Sequence, residues 1–199
     1  AVVAVETALP MHQPLLLQWQ GDPTTAHIDD QYLFGRSLLI APILDQSDRR
    51  KVYLPEGEWF ELWSDRLVTG PLWQELLVPL GELPMYVRAD SIIPMIEPVQ
   101  STGEADFGKI HLHLYPRVGS RELVSLPDGR TLTVAVERSH AGAELRLGGD
   151  DIEVIPHIHG VPITSGTAPQ MPQGEVLPAV RLTEAAEVLV SIERGIYPG

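Results

Sequence analysis

The sequence predicts an all-β protein: two antiparallel β-sandwich domains preceded by a short helix–strand segment. Three observations carry that expectation. Short apolar segments recur from Gly35 onward; turn residues punctuate them at Pro55-Glu56-Gly57, Thr69-Gly70-Pro71 and Gly81-Glu82; and a polar, Gly-containing stretch, QSTGEADFG over residues 100–108, interrupts them. Short apolar runs between closely spaced turns suit antiparallel sandwiches, and the polar stretch reads as a linker. The expected division is therefore 1–35, 36–100 and 101–199. A chain of 199 residues can bury roughly 70 per cent of its unfolded surface, so size does not limit folding.

Taken in order, residues 2–9 have helical composition and end at Pro10, whose missing amide and ring clash stop a helix. Residues 15–19 read as a short apolar strand broken by Gly21-Asp22-Pro23, and residues 24–32 as a loop with a helical turn. The apolar run over residues 37–44 is too continuous for a one-sided strand and is expected to be buried on both faces. Residues 51–54 and 59–63 flank Pro55-Glu56-Gly57, which predicts a hairpin corner. Residues 85–95 read as one strand entering and leaving a covered sheet.

Past the linker, residues 109–115 alternate, with Ile110, Leu112 and Leu114 on one face and His111, His113 and Tyr115 on the other, as a half-buried strand does. Pro127-Asp128-Gly129 predicts a hairpin between residues 123–126 and 130–136. Further strands are expected at 143–147, 151–155 and 188–192, with a long surface loop over 162–178.

Acidic residues number 27 against 14 basic, a net charge of −13, which argues against nucleic acid and anionic membrane as partners. Neutral sugars stay compatible with that charge. There is no cysteine for a disulfide or thiolate site, and no asparagine for N-glycosylation. No apolar run approaches the roughly 20 residues of a spanning helix, so the chain reads as soluble, a cytoplasmic location being favoured over a secreted one. Its opening, AVVAVETAL, lacks methionine and reads as the middle of a helix, as in an excised or processed fragment.

Two His-x-His pairs, His111/His113 and His157/His159, invite a metal reading because residues two apart on a strand share a face. No carboxylate or cysteine recurs beside them at ligand spacing, so the expectation is a solvated strand face and no metal site. The pairs converge only if their strands are neighbours. Asp29/Asp30 and Asp150/Asp151 are adjacent carboxylates, whereas a retaining glycosidase needs two carboxyls about 5–5.5 Å apart facing one bond; no catalytic residue is assigned to them. Trp59, Trp63 and Trp73, with Tyr53, are candidates for a sugar-stacking platform or a domain contact, the core reading being favoured.

Three segments, DDQYLFGRSLLIAPIL, KVYLPEGEWFELW and LPMYVRADSIIPM, in that order, resemble the region just after the catalytic barrel in glycoside hydrolase family 31, the α-glucosidase and α-xylosidase family. The resemblance implies that residues 1–35 are a remnant of the end of a (β/α)8 barrel and that the sandwiches are proximal and distal C-terminal domains. It further implies a parent enzyme that hydrolyses α-glucosides or α-xylosides with retention, using an aspartate nucleophile, an aspartate acid/base and no cofactor. Neither aspartate has a match in this chain. The implied role is bracing the barrel, which would be the partner, on this polypeptide or another; an oligosaccharide is a candidate ligand. A free carbohydrate-binding module and a structural interaction domain are the competing readings. Departures from the family stand at Gln13 (usually arginine), Arg36 (usually aspartate) and Asp90 (usually glycine), and only Asp128-Gly129 persists of a distal Asp-Asp-Gly turn.

Overall fold

The computed structural model describes residues 8–117, 119–139, 142–159, 175–177, 179–182 and 188–193. The protein is all-β, and among the described residues its strands pair antiparallel except for one parallel pair. The described residues form two compact units that divide in sequence between Ala89 and Asp90. Most of the helix expected over 2–9 and most of the loop expected over 162–178 lie outside the described residues; Ala8 and Leu9, which are described, are not helical.

The first unit is a sheet of β1 (His12–Pro14), β2 (Tyr32–Phe34), β3 (Leu38–Ile40), β4 (Arg49–Glu61), β5 (Leu67–Leu77) and β6 (Met85–Arg88), in the order β1-β2-β3-β6-β4-β5. Its core gathers Leu15, Leu33, Leu39, Val52, Tyr53, Leu54, Trp59 and Tyr86. Residues 15–19 are not a strand. Leu15–Leu17 forms a 3-10 turn that sinks Leu15 into the core, the Gln18 and Trp19 amides both donating to the Leu15 carbonyl at 3.0 Å. The run at 37–44 is likewise shorter and more one-sided than its composition implies: Leu39 is buried, Leu38 and Ile40 are half-buried, and pairing stops before Pro42, which has no amide to give.

The corner expected at Pro55-Glu56-Gly57 does not reverse the chain. β4 runs straight through it, and the register slips there, from Leu54 opposite Leu72 to Gly57 opposite Gly70. An extra residue on one strand is absorbed as a β-bulge, which tolerates both the missing amide of Pro55 and the φ of 130° at Gly57. Gly70 faces the bulge so closely that a Cβ on it would lie 2.1 Å from the Pro55 carbonyl oxygen. The reversal comes instead between β4 and β5, at residues 62–66.

Residues 85–95 are two strands, not one. β6 belongs to the first unit and β7 (Ile92–Met95) to the second, with Asp90 between them at φ 60°. Asp90 takes the left-handed backbone expected of a glycine position, and its Oδ1 accepts from the Arg117 and Gly119 amides at 2.7 and 3.1 Å.

The second unit continues with β8 (Lys109–Leu114), β9 (Gly119–Ser125), β10 (Thr131–Ser139), β11 (Gly142–Gly149), β12 (Ile152–Ile158), β13 (Glu175–Val176), β14 (Val180–Leu182) and β15 (Val188–Glu193). One sheet runs β15-β11-β10-β9; the other runs β13-β12-β8-β7, with β14 also on β12. The predicted hairpin is present as β9–β10, closed by the Leu126 amide on the Arg130 carbonyl at 2.9 Å. The two sheets pack through one aliphatic core: Ile110, Leu112, Leu114, Ile152, Val154 and Ile158 on one side, Leu132, Val134, Val136, Leu145 and Leu147 on the other.

Candidate functional site

In the first unit, the break Gly21-Asp22-Pro23 and the bulge of β4 border a 470 Å³ cleft lined by Gln18, Trp19, Asp22, Tyr53, Glu56 and Pro71 among others. Tyr53 anchors it. Its hydroxyl donates to Asp22 Oδ2, and its backbone amide and carbonyl are both taken by the Gln31 side chain, at 2.9 and 2.6 Å. The phenol's bond holds the Asp22 carboxyl below the usual carboxylate range, while burial, then the bond to Asp22, pushes the Tyr53 phenol up. Trp19 is half-buried, its Nε1–H donating to the Glu56 carbonyl at 3.3 Å, its ring 5.8 Å from that of Trp59 and 5.6 Å from the Arg88 guanidinium.

The three candidate tryptophans are not brought together. Trp59 is fully buried, Nε1–H donating to the Pro55 carbonyl at 3.0 Å. Trp63 follows the end of β4, half-buried, and donates to the Leu83 carbonyl. Trp73, 43% exposed, packs across the strand pair against Tyr53, the rings tilted with centroids 5.0 Å apart, and Lys51 Nζ lies 4.9 Å from its ring. Trp19 is the aromatic that sequence reasoning missed. It closes the run 15–19 that reads as a strand, and only its place just before Gly21-Asp22-Pro23 marked a turn that could tuck it under β4.

Three of the four adjacent carboxylates serve structure. Asp30 pairs with Arg50, and the Arg50 hydrogen bond lowers the Asp30 pKa; Asp150 Oδ2 accepts from the Thr131 amide at 2.8 Å, and Asp151 pairs with Arg181 at 2.7 Å.

In the second unit, β8 and β12 are neighbours, parallel, with His157 opposite His113 and Ile155 opposite His111. The His-x-His pairs therefore converge, and the expected solvated face is not found: His113, His157, His159 and Tyr115 are buried, between 0% and 3% exposed. His111 Nδ1 lies 2.9 Å from His157 Nε2, and His113 Nδ1 lies 2.8 Å from His159 Nε2. Rings stack along the array, His113 on His157 at 4.4 Å and Tyr115 on His159 at 4.1 Å. His111 Nε2 meets Glu97 at 2.9 Å. These nitrogen separations fit N–H···N bonds; two imidazoles on one tetrahedral zinc would stand about 3.3 Å apart. Among the described residues no group of three or more His, Cys, Asp or Glu is arranged to hold a metal ion. Burial, and then the neighbouring imidazoles His159, His157 and His111, lower the His113 pKa to about 3.

Residues 8–93 match the glycosyl hydrolase family 31 C-terminal domain. Through this stretch, less than half of the chain, the sequence is similar to the C-terminal domain of glycoside hydrolase family 31. The family 31 relatives include an α-glucosidase of Saccharolobus solfataricus, 36% identical over 95 residues that cover 48% of this chain and 13% of the relative. Another is α-glucosidase 2 of Bacillus thermoamyloliquefaciens, 27% identical over 161 residues, 79% of this chain and 20% of the relative. Among solved structures, a family 31 α-xylosidase from Xanthomonas citri superposes with a TM-score of 0.78 at 19% identity, over 96% of this chain and 22% of that one. That likeness shows the fold. The chain spans a fifth or less of the length of these two curated relatives. No helix among the described residues is long and apolar enough to cross a membrane.

Proposed function

We propose that the chain is the non-catalytic C-terminal β-region of an α-glycoside hydrolase and braces that enzyme's catalytic barrel, its partner on the same or another polypeptide. The match of residues 8–93 to a family 31 C-terminal domain, in a chain spanning so little of its relatives, carries this reading. The side-chain geometry supports it. A retaining mechanism needs two carboxyls about 5–5.5 Å apart across one bond; here Asp30, Asp150 and Asp151 are each engaged by a basic side chain or a backbone amide. The parent would hydrolyse α-glucosides or α-xylosides with retention, on catalytic aspartates outside this chain. The proposed division is a barrel remnant at 1–35 followed by a proximal and a distal β-domain, their boundary taken at 89/90, where the compact units divide, rather than at 100/101. Sugar stacking on the tryptophans is the lesser reading, because Trp59 is buried and Trp73 is already engaged by Tyr53 and Lys51.

The test is turnover of aryl α-glucosides and α-xylosides by the purified chain, alone and mixed with a separately made barrel portion. No turnover alone and turnover on mixing are expected. Activity of the isolated chain that is lost in Asp29→Asn or Asp30→Asn would overturn the reading.

A further inference from the structure

Four imidazoles on one sheet face are more titratable chemistry than bracing requires. The arrangement restricts how they can protonate. Each ring-to-ring bond, His111 to His157 and His113 to His159, places two nitrogens 2.8–2.9 Å apart, a gap with room for one proton; two N–H groups pointed at each other would be opposed donors on like charges. Glu97 accepts from His111 Nε2–H, so in the neutral array His111 Nδ1 is the bare nitrogen and His157 Nε2 carries the proton. A proton arriving at His111 is matched by Glu97, and His157 then accepts instead. The inner pair is more deeply enclosed: His113 and His159 are 2% and 0% exposed and stack between His157 and Tyr115. Among the described residues, the charged groups sharing this face are Glu97, in the segment after β7, and, at the far end of β8 and β12, Lys109, Glu153 and the Arg181 of β14 opposite it; Ile93 and Met95 of β7 and Val176 of β13 present no charge.

We propose that the His111–His113–His157–His159 array is an acid-sensitive latch on β8 and β12, holding the second unit closed while its imidazoles share protons and releasing it when they must each carry one. With both bonds intact the folded array holds at most two of the four protons that the unfolded chain takes up. The sign follows. Below the usual histidine pKa of about 6.5 the unfolded state binds more protons, so the stabilisation is complete above that pH and is lost as pH falls through it. Two withheld protons raise the unfolding equilibrium constant of this unit by about 100-fold per pH unit below about pH 5.5.

The experiment follows amide exchange at β8 and β12, corrected for intrinsic rate, on the full chain from pH 7.5 to 5. All four tryptophans lie in the first unit, so their fluorescence in the same samples reports that unit separately. Opening of β8 and β12 should grow toward the 100-fold-per-unit limit, and His113→Gln should reduce that slope by about 10-fold per pH unit. Because a buried glutamine can prevent folding, the imidazole nitrogens of the wild-type chain are also titrated by NMR. At least one ring of each pair should stay neutral in the folded chain at pH 5.5. An opening constant flat between pH 6.5 and 5, or four rings that all become cationic near pH 6.5 with the second unit still folded, would overturn the latch.

Discussion

The first unit packs around aromatic rings tied down by polar bonds, the second around aliphatic side chains that make none. In the first, Trp59 donates to Pro55, Gln31 clamps the backbone of Tyr53, Tyr53 donates to Asp22 and Tyr86 donates to Gln74. Each bond needs a particular side chain at a particular place. In the second, the core is isoleucine, leucine and valine throughout, and aliphatic residues of similar volume exchange at small cost. The comparison gives a physical reason why a family match should end near residue 93: a core specified by unique hydrogen-bonding groups leaves a recognisable sequence, whereas a packed aliphatic core constrains mainly volume and alternation.

The largest expected effect tests that contrast directly. Trp59→Ala deletes a fully buried ring and leaves the Pro55 carbonyl without its indole donor, costing about 3–5 kcal/mol. Trp59→Phe restores much of the volume but not the bond. Leu112→Ala should cost about 2–5 kcal/mol in the second unit, and Leu112→Met less than about 1.5. Urea unfolding read by tryptophan fluorescence for the first unit and by β8 amide exchange for the second separates the two. If Trp59→Phe proves as mild as Leu112→Met, the polar ties do not distinguish the units.

Gln31→Ala comes next. Both its amide atoms are buried against the Tyr53 backbone, so its removal strands a donor and an acceptor and should cost about 1–3 kcal/mol. Gly70→Ala belongs in the same range for another reason. The added Cβ meets backbone, the Pro55 carbonyl, rather than a side chain that could swing aside, and overpacking of this kind costs about 1–3 kcal/mol. The measurement is the urea midpoint; an unchanged midpoint for Gly70→Ala would mean that the bulge opens freely.

What the sequence revealed follows the same division of causes. Alternation in 109–115 placed Ile110, Leu112 and Leu114 on the core face correctly, and the Asp128-Gly129 turn located its hairpin, because both signals are local. Pairing partners are not local. Nothing near His111 or His157 declares that β8 and β12 lie side by side in parallel, so a face that looks polar is in fact closed. Pro55-Glu56-Gly57 failed in the opposite way: a strong turn signal was overridden when the long β4–β5 pairing absorbed it as a bulge. For Leu15–Leu17, a core contact for Leu15 outweighed an apolar composition that suits a strand.

The smallest effect concerns the order in which the two units yield to acid. Arg50, 10% exposed, donates through Nη1 to the Asp30 carboxylate and through Nη2 to the Asp30 carbonyl, the latter at 2.6 Å. The hydrogen bond to Arg50 lowers the Asp30 pKa below its usual 3.8, with burial opposing. A depressed carboxylate pKa stabilises the fold above the unfolded value and ceases to do so as pH falls through the folded one, so this contribution is intact at pH 5 and disappears only below about pH 4. Asp30 is 39% exposed on its side chain, which screens the pair and holds its worth to about 0.2–1 kcal/mol. Asp30→Asn keeps an acceptor for Nη1 and leaves the carbonyl bond untouched, so the loss at pH 7 should sit at the lower end of that range and shrink as pH falls below about 4. Urea titrations at pH 7, 5 and 2.5 check it. A penalty the same at pH 2.5 as at pH 5 would show that the asparagine disturbs packing rather than charge, and one that fades already between pH 7 and 5 would erase the difference in acid response between the carboxylate ties of the first unit and the imidazole array of the second.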